Sequence, residues 1–430
     1  MKNSKFIIIL ALMISSLPGF SQERITSEEK KAVIETIEKF MDSTYVFPEV
    51  AKEAMALLKE NEKQGIYSST KLPEEFARTL TEDLRSITND LHIKVKFDPE
   101  SIAEEKNKKI KTDLAAGTIE SLKRENFGFN EVKILDGNIG YLDLRLFISP
   151  EYAAETAIAA MNFLANTDAI IFDLRNNRGG SPEMIQLIQS YLFEAEPVHL
   201  NNFYNRPTNK HMQTWTLPHV PGKRNPNADV YVLTSKRSFS AAEEFAFNIK
   251  NLERGRLIGE TTAGAANPGS TQNINDSFII FIPSGRAYSP ITNTNWEGTG
   301  IIPHIQVPEE ESLTFTHLKA LENLSRKTVD DKKKAIYQWY LKTVKAKKDP
   351  IILNTEQLNS YAGSYGGNKI LFKKSRLIYE RAGMQFELIP LGEHEFTIRN
   401  KSGVRLQFSE DRKNMNEILV SGKTRTLSRD

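Results

Sequence analysis

From about residue 131 onward, short apolar runs alternate with amphipathic stretches, and this alternation limits the folds open to the chain. Short apolar runs bounded by charged or turn-forming residues are typical of buried strands. The amphipathic stretches between them predict helices at 150–165, 182–195 and 240–252. Strands that alternate with helices build parallel sheets, so residues 131–312 are predicted to form an α/β core. The four clearest strand candidates are Gly140–Phe147, Ala169–Arg175, Val230–Thr234 and Arg256–Glu260.

The segments that flank this core have different patterns of apolar and polar residues. Residues 22–130 carry apolar residues at three- and four-residue spacing and predict a small helical domain with a charged linker. A helical connector is expected at 313–350, and residues 351–430 have short alternating runs broken by glycine and charge, which predict a small antiparallel β domain. The chain of 430 residues is therefore divided into several structural units.

The first 21 residues predict a secretory signal peptide, because two lysines precede a short apolar run and a small-residue stretch. No later stretch is apolar enough for a transmembrane helix, so we expect an exported protein, periplasmic or secreted. The chain has no cysteine, which excludes disulfides, a thiol nucleophile and thiolate metal ligands. Its formal net charge of +2 gives no indication of nucleic-acid binding, and nothing in the sequence calls for a cofactor.

Ser240 stands where the apolar run 230–234 gives way to a helical pattern that starts at Ala241. A serine at a helix N-terminus lies beside free N–H groups that stabilise a developing negative charge. The same residue also begins the pattern Ser-x-x-Glu with Glu243, an ordinary capping box that needs no chemistry. The corner therefore predicts either a nucleophile or a helix cap.

Four ordered motifs lie within about residues 85–310: DLRNNRGGSP at 173–182, SFSAAEEF at 238–245, GETTAG at 259–264 and NWEGTGIIP at 295–303. Together they resemble the tail-specific, or C-terminal-processing, serine peptidase family, which includes the tricorn protease core and the repeats of the interphotoreceptor retinoid-binding protein. The resemblance implies a ClpP/crotonase-like core and a peptide or unfolded-protein substrate. It also makes Ser240 the nucleophile, ahead of the neighbouring Ser235 and Ser238.

The resemblance also identifies the acid–base residues. The bacterial branch of the family supplies a lysine at the position of Ala265, so a Ser-Lys dyad is excluded here and the base must come from elsewhere. The tricorn-like branch uses a histidine before the core and a glutamate after the nucleophile, which correspond to His92 and Glu297. His92 would take the serine proton and Glu297 would orient the imidazole. Asp90 is expected to be structural, with a supporting carboxylate as the alternative.

The tetrahedral intermediate of such a reaction needs two hydrogen-bond donors. One is expected from the N–H of Ala241, and the other from the glycine turn at Gly179 and Gly180, between which the sequence does not choose. Asp173 and Arg175 are expected to hold that turn by hydrogen bonds. No closely spaced set of histidines and carboxylates predicts a metal site.

Two features depart from the family pattern. The segment between Asp98 and Gly137 is too short for the PDZ module that many bacterial members insert there, which puts recognition of free C-termini in doubt. Residues 196–228 instead form a long insertion, predicted to be a lid or specificity element. The sequence thus predicts an exported serine endopeptidase with a Ser240-His92-Glu297 triad. The alternatives are an inactive member that binds a peptide or apolar ligand in the same cleft, and a protein whose β domain binds the ligand.

Overall fold

The computed structural model describes residues 24–106 and 118–430, so the predicted leader at 1–21 lies outside the described residues. Residues 118–124 are helical. The other α-helices are Ser27–Thr44, Pro48–Lys63, Pro73–Thr88, Pro99–Lys106, Pro150–Phe163, Pro182–Ser190, Ala241–Asn251, Glu309–Lys327, Asp331–Lys348 and Thr355–Ser360. The strands before residue 310 are β1 (Lys94–Phe97), β2 (Phe129–Leu135), β3 (Ile139–Leu144), β4 (Ala169–Asp173), β5 (His199–Asn205), β6 (Lys210–Trp215), β7 (Asp229–Thr234), β8 (Gly255–Gly259), β9 (Gly269–Asn273), β10 (Phe278–Pro283), β11 (Gly285–Tyr288) and β12 (Ile305–Gln306).

The central sheet has six strands in the order β12-β8-β7-β4-β3-β2. Only β2 is antiparallel to its neighbour, and the other pairs are parallel. The four strands predicted from apolar runs are β3, β4, β7 and β8, which confirms the α/β core. Because parallel strands end at the same edge of a sheet, the loops that follow β4, β7 and β8 are brought together there.

Both faces of this sheet are covered at its central strands β3, β4 and β7, which explains why these strands are mostly apolar. Ile170 and Phe172 point toward the helices Pro150–Phe163, Pro182–Ser190 and Ala241–Asn251. Ile171, between them in sequence, points toward the opposite layer, which contains residues of the helices 309–327 and 331–348. The connector expected at 313–350 is therefore two helices that form the second layer of the core, and the first of them begins at Glu309.

The N-terminal helices build their own apolar core, but they complete it with residues from far along the chain. Phe278, Ile280 and Ile282 of β10 are buried in the same cluster as the helical residues. Strand β1 pairs with β10, which also pairs with β9. The helical region is consequently attached to the core by a shared three-stranded sheet. In the described part of the chain, no helix combines the length and apolar character needed to cross a bilayer.

The insertion predicted as a lid at 196–228 consists in large part of a paired hairpin. Strands β5 and β6 are antiparallel, and β5 also pairs with β11. The hairpin is anchored to the core where Gln186 Nε2 donates to the carbonyl of Trp215 at 2.7 Å.

The C-terminal region forms one eight-stranded antiparallel sheet with its strands in sequence order. The first and last strands meet, because Gly366 N–H donates to the carbonyl of Ser428 and Asp430 N–H donates to that of Ser364, both at 3.0 Å. The sheet thereby closes on itself around an aromatic core. Its strands are β13 (Gly363–Tyr365), β14 (Asn368–Lys373), β15 (Arg376–Arg381), β16 (Met384–Pro390), β17 (Glu395–Ile398), β18 (Lys401–Phe408), β19 (Asn414–Leu419) and β20 (Thr424–Ser428).

Candidate active site

Ser240 lies in the loop after β7 and immediately precedes the helix Ala241–Asn251. Its backbone has φ 55° and ψ −118°, a conformation that L-residues rarely adopt and that costs on the order of 1–3 kcal/mol. An ordinary helix cap has extended backbone angles instead. A serine on a strained strand-to-helix turn is the arrangement that exposes a nucleophilic hydroxyl in other hydrolases.

The Glu243 carboxylate fixes this corner from inside the protein. Glu243 is fully buried, and its Oε2 accepts hydrogen bonds from the N–H groups of Ser240 and Ala265, both at 2.9 Å. Its Oε1 accepts from the Thr262 hydroxyl at 2.5 Å and from the N–H of Gly264 at 2.7 Å. The hydrogen bond from the Ser240 N–H to Glu243 that a capping box requires is thus present. The same carboxylate also binds the loop after β8. Burial raises the pKa of Glu243, while the hydrogen bonds oppose that rise.

The glycine turn after β4 packs directly against Ser240. A methyl group added to Gly179 would lie 2.8 Å from the Cβ of Ser240, and one added to Gly180 would lie 2.1 Å from the carbonyl oxygen of Phe147. Both glycines have positive φ, 99° and 136°. The close approach and the backbone angles together explain why the turn contains two glycines.

The hydrogen bonds distinguish the two glycines. The N–H of Gly179 donates to Oδ1 of Asn177 at 2.8 Å, whereas within 24–106 and 118–430 the N–H of Gly180 has no hydrogen-bond partner. The same is true of the N–H of Ala241. As expected, Asp173 and Arg175 are joined at the base of this turn, with Arg175 Nε 2.8 Å from Asp173 Oδ1.

His92 is brought to this edge by the loop after the helix Pro73–Thr88. Arg85 holds that loop by donating to the carbonyl of Ile93 at 2.8 Å and to that of Leu91 at 2.5 Å. The imidazole side chain is only 11% exposed. Its ring centroid lies 4.9 Å from that of Phe239, the residue before Ser240.

Three ionisable side chains meet at this point: Asp90, His92 and Glu297 each place one nitrogen or oxygen atom within 4.8 Å of the other two. Glu297 Oε2 accepts from the N–H groups of Ala266 and Asn267 at 2.6 and 2.9 Å. Glu297 Oε1 and His92 Nδ1 are buried and have no hydrogen-bond partner among the described residues. Such a set has the donor types that a divalent cation accepts, although the sequence predicted no metal site.

Asp90 is fully buried in this cluster. Its Oδ1 accepts from the backbone N–H of His92 at 3.0 Å and lies 3.7 Å from the ring Nδ1. Its Oδ2 accepts from Asn267 Nδ2 at 3.2 Å. Because the Nδ1 edge of the imidazole faces these carboxylates, the Nε2 edge is directed away from them. Asp90 is thus a hydrogen-bonded part of the cluster. From the sequence it was expected to be structural, with a supporting carboxylate as the alternative.

Two carboxylates this close together cannot both ionise easily. Burial, together with the charge of Asp90, raises the pKa of Glu297 to about 8. Burial also raises the pKa of Tyr45, whose ring faces the same two carboxylates. The imidazole therefore lies beside a glutamic acid that changes its charge near neutral pH.

Another buried carboxyl, that of Glu244, lies in the first turn of the helix Ala241–Asn251. Glu244 is 5% exposed and lies beside Asn201 of β5, and within the described ranges both Glu244 Oε1 and Asn201 Nδ2 lack hydrogen-bond partners. Burial raises the pKa of Glu244 from 4.5 to about 7. The folded state thus favours the protonated form, and the associated stability is fully present below pH 4.5 and is lost as the pH rises through 7.

We expect Glu244→Gln to remove this pH dependence. At pH 8.5 the variant should be more stable than the parent by up to about 3 kcal/mol, and at pH 4 the two should unfold alike. Urea unfolding at the two pH values would measure the difference. Equal destabilisation by the variant at both pH values would show that Glu244 remains ionised in the folded protein.

Comparison with known proteins agrees with the motifs. Residues 138–307 match peptidase family S41, and residues 25–126 match the family described as the N-terminal domain of Peptidase_S41 in eukaryotic IRBP. The chain belongs to peptidase family S41. It combines the family's core with the N-terminal domain of the interphotoreceptor retinoid-binding protein type.

A probable CtpA-like serine protease of Staphylococcus saprophyticus is 25% identical over 141 residues, which are 33% of this chain and 28% of that protein. Among solved structures, a lipoprotein from Streptococcus agalactiae has a TM-score of 0.46 at 14% identity, with 68% of this chain and 96% of that chain covered. A putative peptidase from Parabacteroides merdae has a TM-score of 0.45 at 16% identity, with coverage of 65% and 90%.

Proposed function

We propose that this protein is a serine endopeptidase that cleaves unfolded proteins or peptides, with Ser240 as nucleophile, His92 as general base and Glu297 as the positioning carboxylate. The observation that carries the proposal is the meeting of His92 and Glu297 within 4.8 Å, although they are far apart in sequence. The ring of His92 lies against Phe239, beside Ser240. Packing alone does not require two ionisable groups with unpaired atoms at such a point.

In this mechanism the Ser240 hydroxyl attacks the substrate carbonyl while His92 removes its proton through Nε2. The ionised Glu297 accepts a hydrogen bond from Nδ1 and stabilises the imidazolium. The proton then passes to the leaving amine. In the second half of the cycle, His92 activates a water molecule that hydrolyses the acyl-enzyme.

The N–H groups of Ala241 and Gly180 are the proposed donors to the oxyanion. Gly179 is the weaker candidate because its N–H is engaged by Asn177. Each oxyanion donor contributes about 3–4 kcal/mol to barrier lowering in comparable enzymes. The two proposed donors come from turns that touch at Gly179 and Ser240, so they converge on the nucleophile.

A second candidate is an inactive member of the family that binds a peptide or apolar ligand in the same cleft. It is favoured by one observation: in the residues that the structure describes, no hydrogen bond joins His92 to Ser240 or to Glu297. Serine peptidases without substrate often have long hydrogen bonds that shorten on binding, so this observation is compatible with either candidate. The leader predicted at 1–21 would export the protein in both cases.

A fluorophosphonate probe tests the proposal, since such probes phosphonylate activated serine hydroxyls with loss of fluoride and leave ordinary ones unmodified. We expect mass spectrometry to find one adduct, on the peptide that contains Ser240. Pretreatment with the probe should also stop the digestion of a permanently unfolded protein, such as a reduced and alkylated one. A chain that is neither labelled nor able to digest that substrate would favour the binding protein.

A further inference from the structure

A groove of about 440 Å³ opens beside the candidate active site. It is lined by the start of the helix Pro182–Ser190, by Pro268 and Gly269, by Ser284 and Gly285, and by the β5–β6 hairpin. Its volume is within the range of small-ligand pockets. The side chains that line it most prominently are Pro182, Glu183, Gln186, Phe203, Tyr204 and Met212.

Two of the segments that line the groove directly follow residues of the candidate active site in the chain. Pro182 follows Gly180 by two residues, and consecutive Cα atoms are about 3.8 Å apart, so this segment begins within about 8 Å of the proposed oxyanion donor. Pro268 directly follows Asn267, whose N–H and side chain contact Glu297 and Asp90. A peptide bound across Ser240 therefore passes the mouth of this groove.

The strand next to the groove has a free edge. Strand β9 begins at Gly269 and pairs only with β10 among the described strands. An extended peptide can add to such an edge, and its alternate side chains then point to one side. This geometry would direct single side chains of a substrate into the groove.

The lining indicates which side chain fits. Phe203 and Met212 are opposite each other on the hairpin, and Met212 is 58% exposed, so its side chain is accessible to a ligand in the groove. Glu183 is the one charged residue among the groove residues that the structure describes. An apolar wall with a single carboxylate favours a bulky apolar side chain and repels an acidic one.

We propose that this groove is the specificity site for one substrate side chain, which selects a bulky apolar or aromatic residue and rejects an acidic one. This inference rests on the proposed function for the position of the scissile bond. It gives the insertion at 196–228 its role: the hairpin supplies the apolar side of the site.

The test uses quenched peptides that differ at one position near the cleaved bond, carrying Phe, Leu, Ala, Asp or Lys. The parent should cleave the Phe and Leu peptides with kcat/KM at least tenfold above the Ala peptide. Met212→Glu should reduce that ratio toward one, and Glu183→Gln should improve cleavage of the Asp peptide several-fold. Met384→Glu is the matched control, because Met384 is 56% exposed on the C-terminal sheet.

Binding of the same labelled peptides to the Ser240→Ala variant, with and without Met212→Glu, separates this inference from the proposed function. A preference for Phe and Leu that Met212→Glu removes would support the groove even if the parent cleaves nothing. An unchanged preference in Met212→Glu, measured by cleavage or by binding, would overturn it. A parent that binds selectively but never cleaves would contradict only the peptidase.

Discussion

Replacement of Ser240 by alanine should abolish digestion of an unfolded protein, with kcat reduced by about 10⁴ to 10⁶. The alanine lacks the only proposed attacking group, and the oxyanion donors alone give weak catalysis. Mass spectrometry of a timed digest would measure the loss, and the fragments from the parent would give its cleavage preference.

Ser238→Ala is the matched control in the same corner. The Ser238 hydroxyl is fully buried, donates to the carbonyl of Leu174 at 2.7 Å and accepts from the N–H of Ser235 at 3.0 Å. Its loss should lower stability by about 1–3 kcal/mol and leave activity in the folded fraction. If Ser240→Ala digests the substrate as fast as Ser238→Ala does, then Ser240 is a cap and not the nucleophile.

Glu297→Gln should lower kcat/KM by about 10² to 10⁴ and change its dependence on pH. The positioning role requires the ionised carboxylate, and the pKa of Glu297 is raised to about 8. Activity of the parent should therefore rise with pH up to about 8 and fall nearly tenfold for each unit below it. The glutamine variant should lose the contribution of Glu297 to this acid limb, since its amide does not titrate.

Asp90→Asn provides the complementary measurement. The charge of Asp90 contributes to the raised pKa of Glu297, so its removal should shift the acid limb of the activity profile to lower pH. Tyr45, which faces the same carboxylates, stays neutral throughout this range. A pH profile that is identical in the parent and both variants would exclude Glu297 as the positioning residue.

The alternation of strands and helices was sufficient to predict the core, because its central strands β3, β4 and β7 are buried on both faces and mostly apolar. Local periodicity does not reveal which distant segments pair. The contribution of β10 to the core of the N-terminal helices, and the pairing of β5 with β11, both depend on contacts between residues far apart in sequence. The insertion at 196–228 was predicted as a lid or specificity element, and its strand pairing was not predicted.

The candidate site shows a similar division. Ser240, His92 and Glu297 could be selected from motifs because the family resemblance fixes their positions. The four hydrogen bonds that the Glu243 carboxylate accepts could not be predicted, since Ser-x-x-Glu is an ordinary capping pattern. The choice between Gly179 and Gly180 depends on the side chain of Asn177, whose hydrogen bond has no sequence signature.

The pairing of β1 with β10 has a consequence for a newly made chain. His92 is synthesised early, but the strand that anchors its region to the core is completed only at Pro283, and Glu297 follows later still. Until then the proposed base, nucleophile and positioning carboxylate are not held together by one folded core. A nascent or truncated chain would thus carry Ser240 without its proposed partners His92 and Glu297 in place. The proposed peptidase activity would arise only after most of the core had been made and had packed against the N-terminal helices.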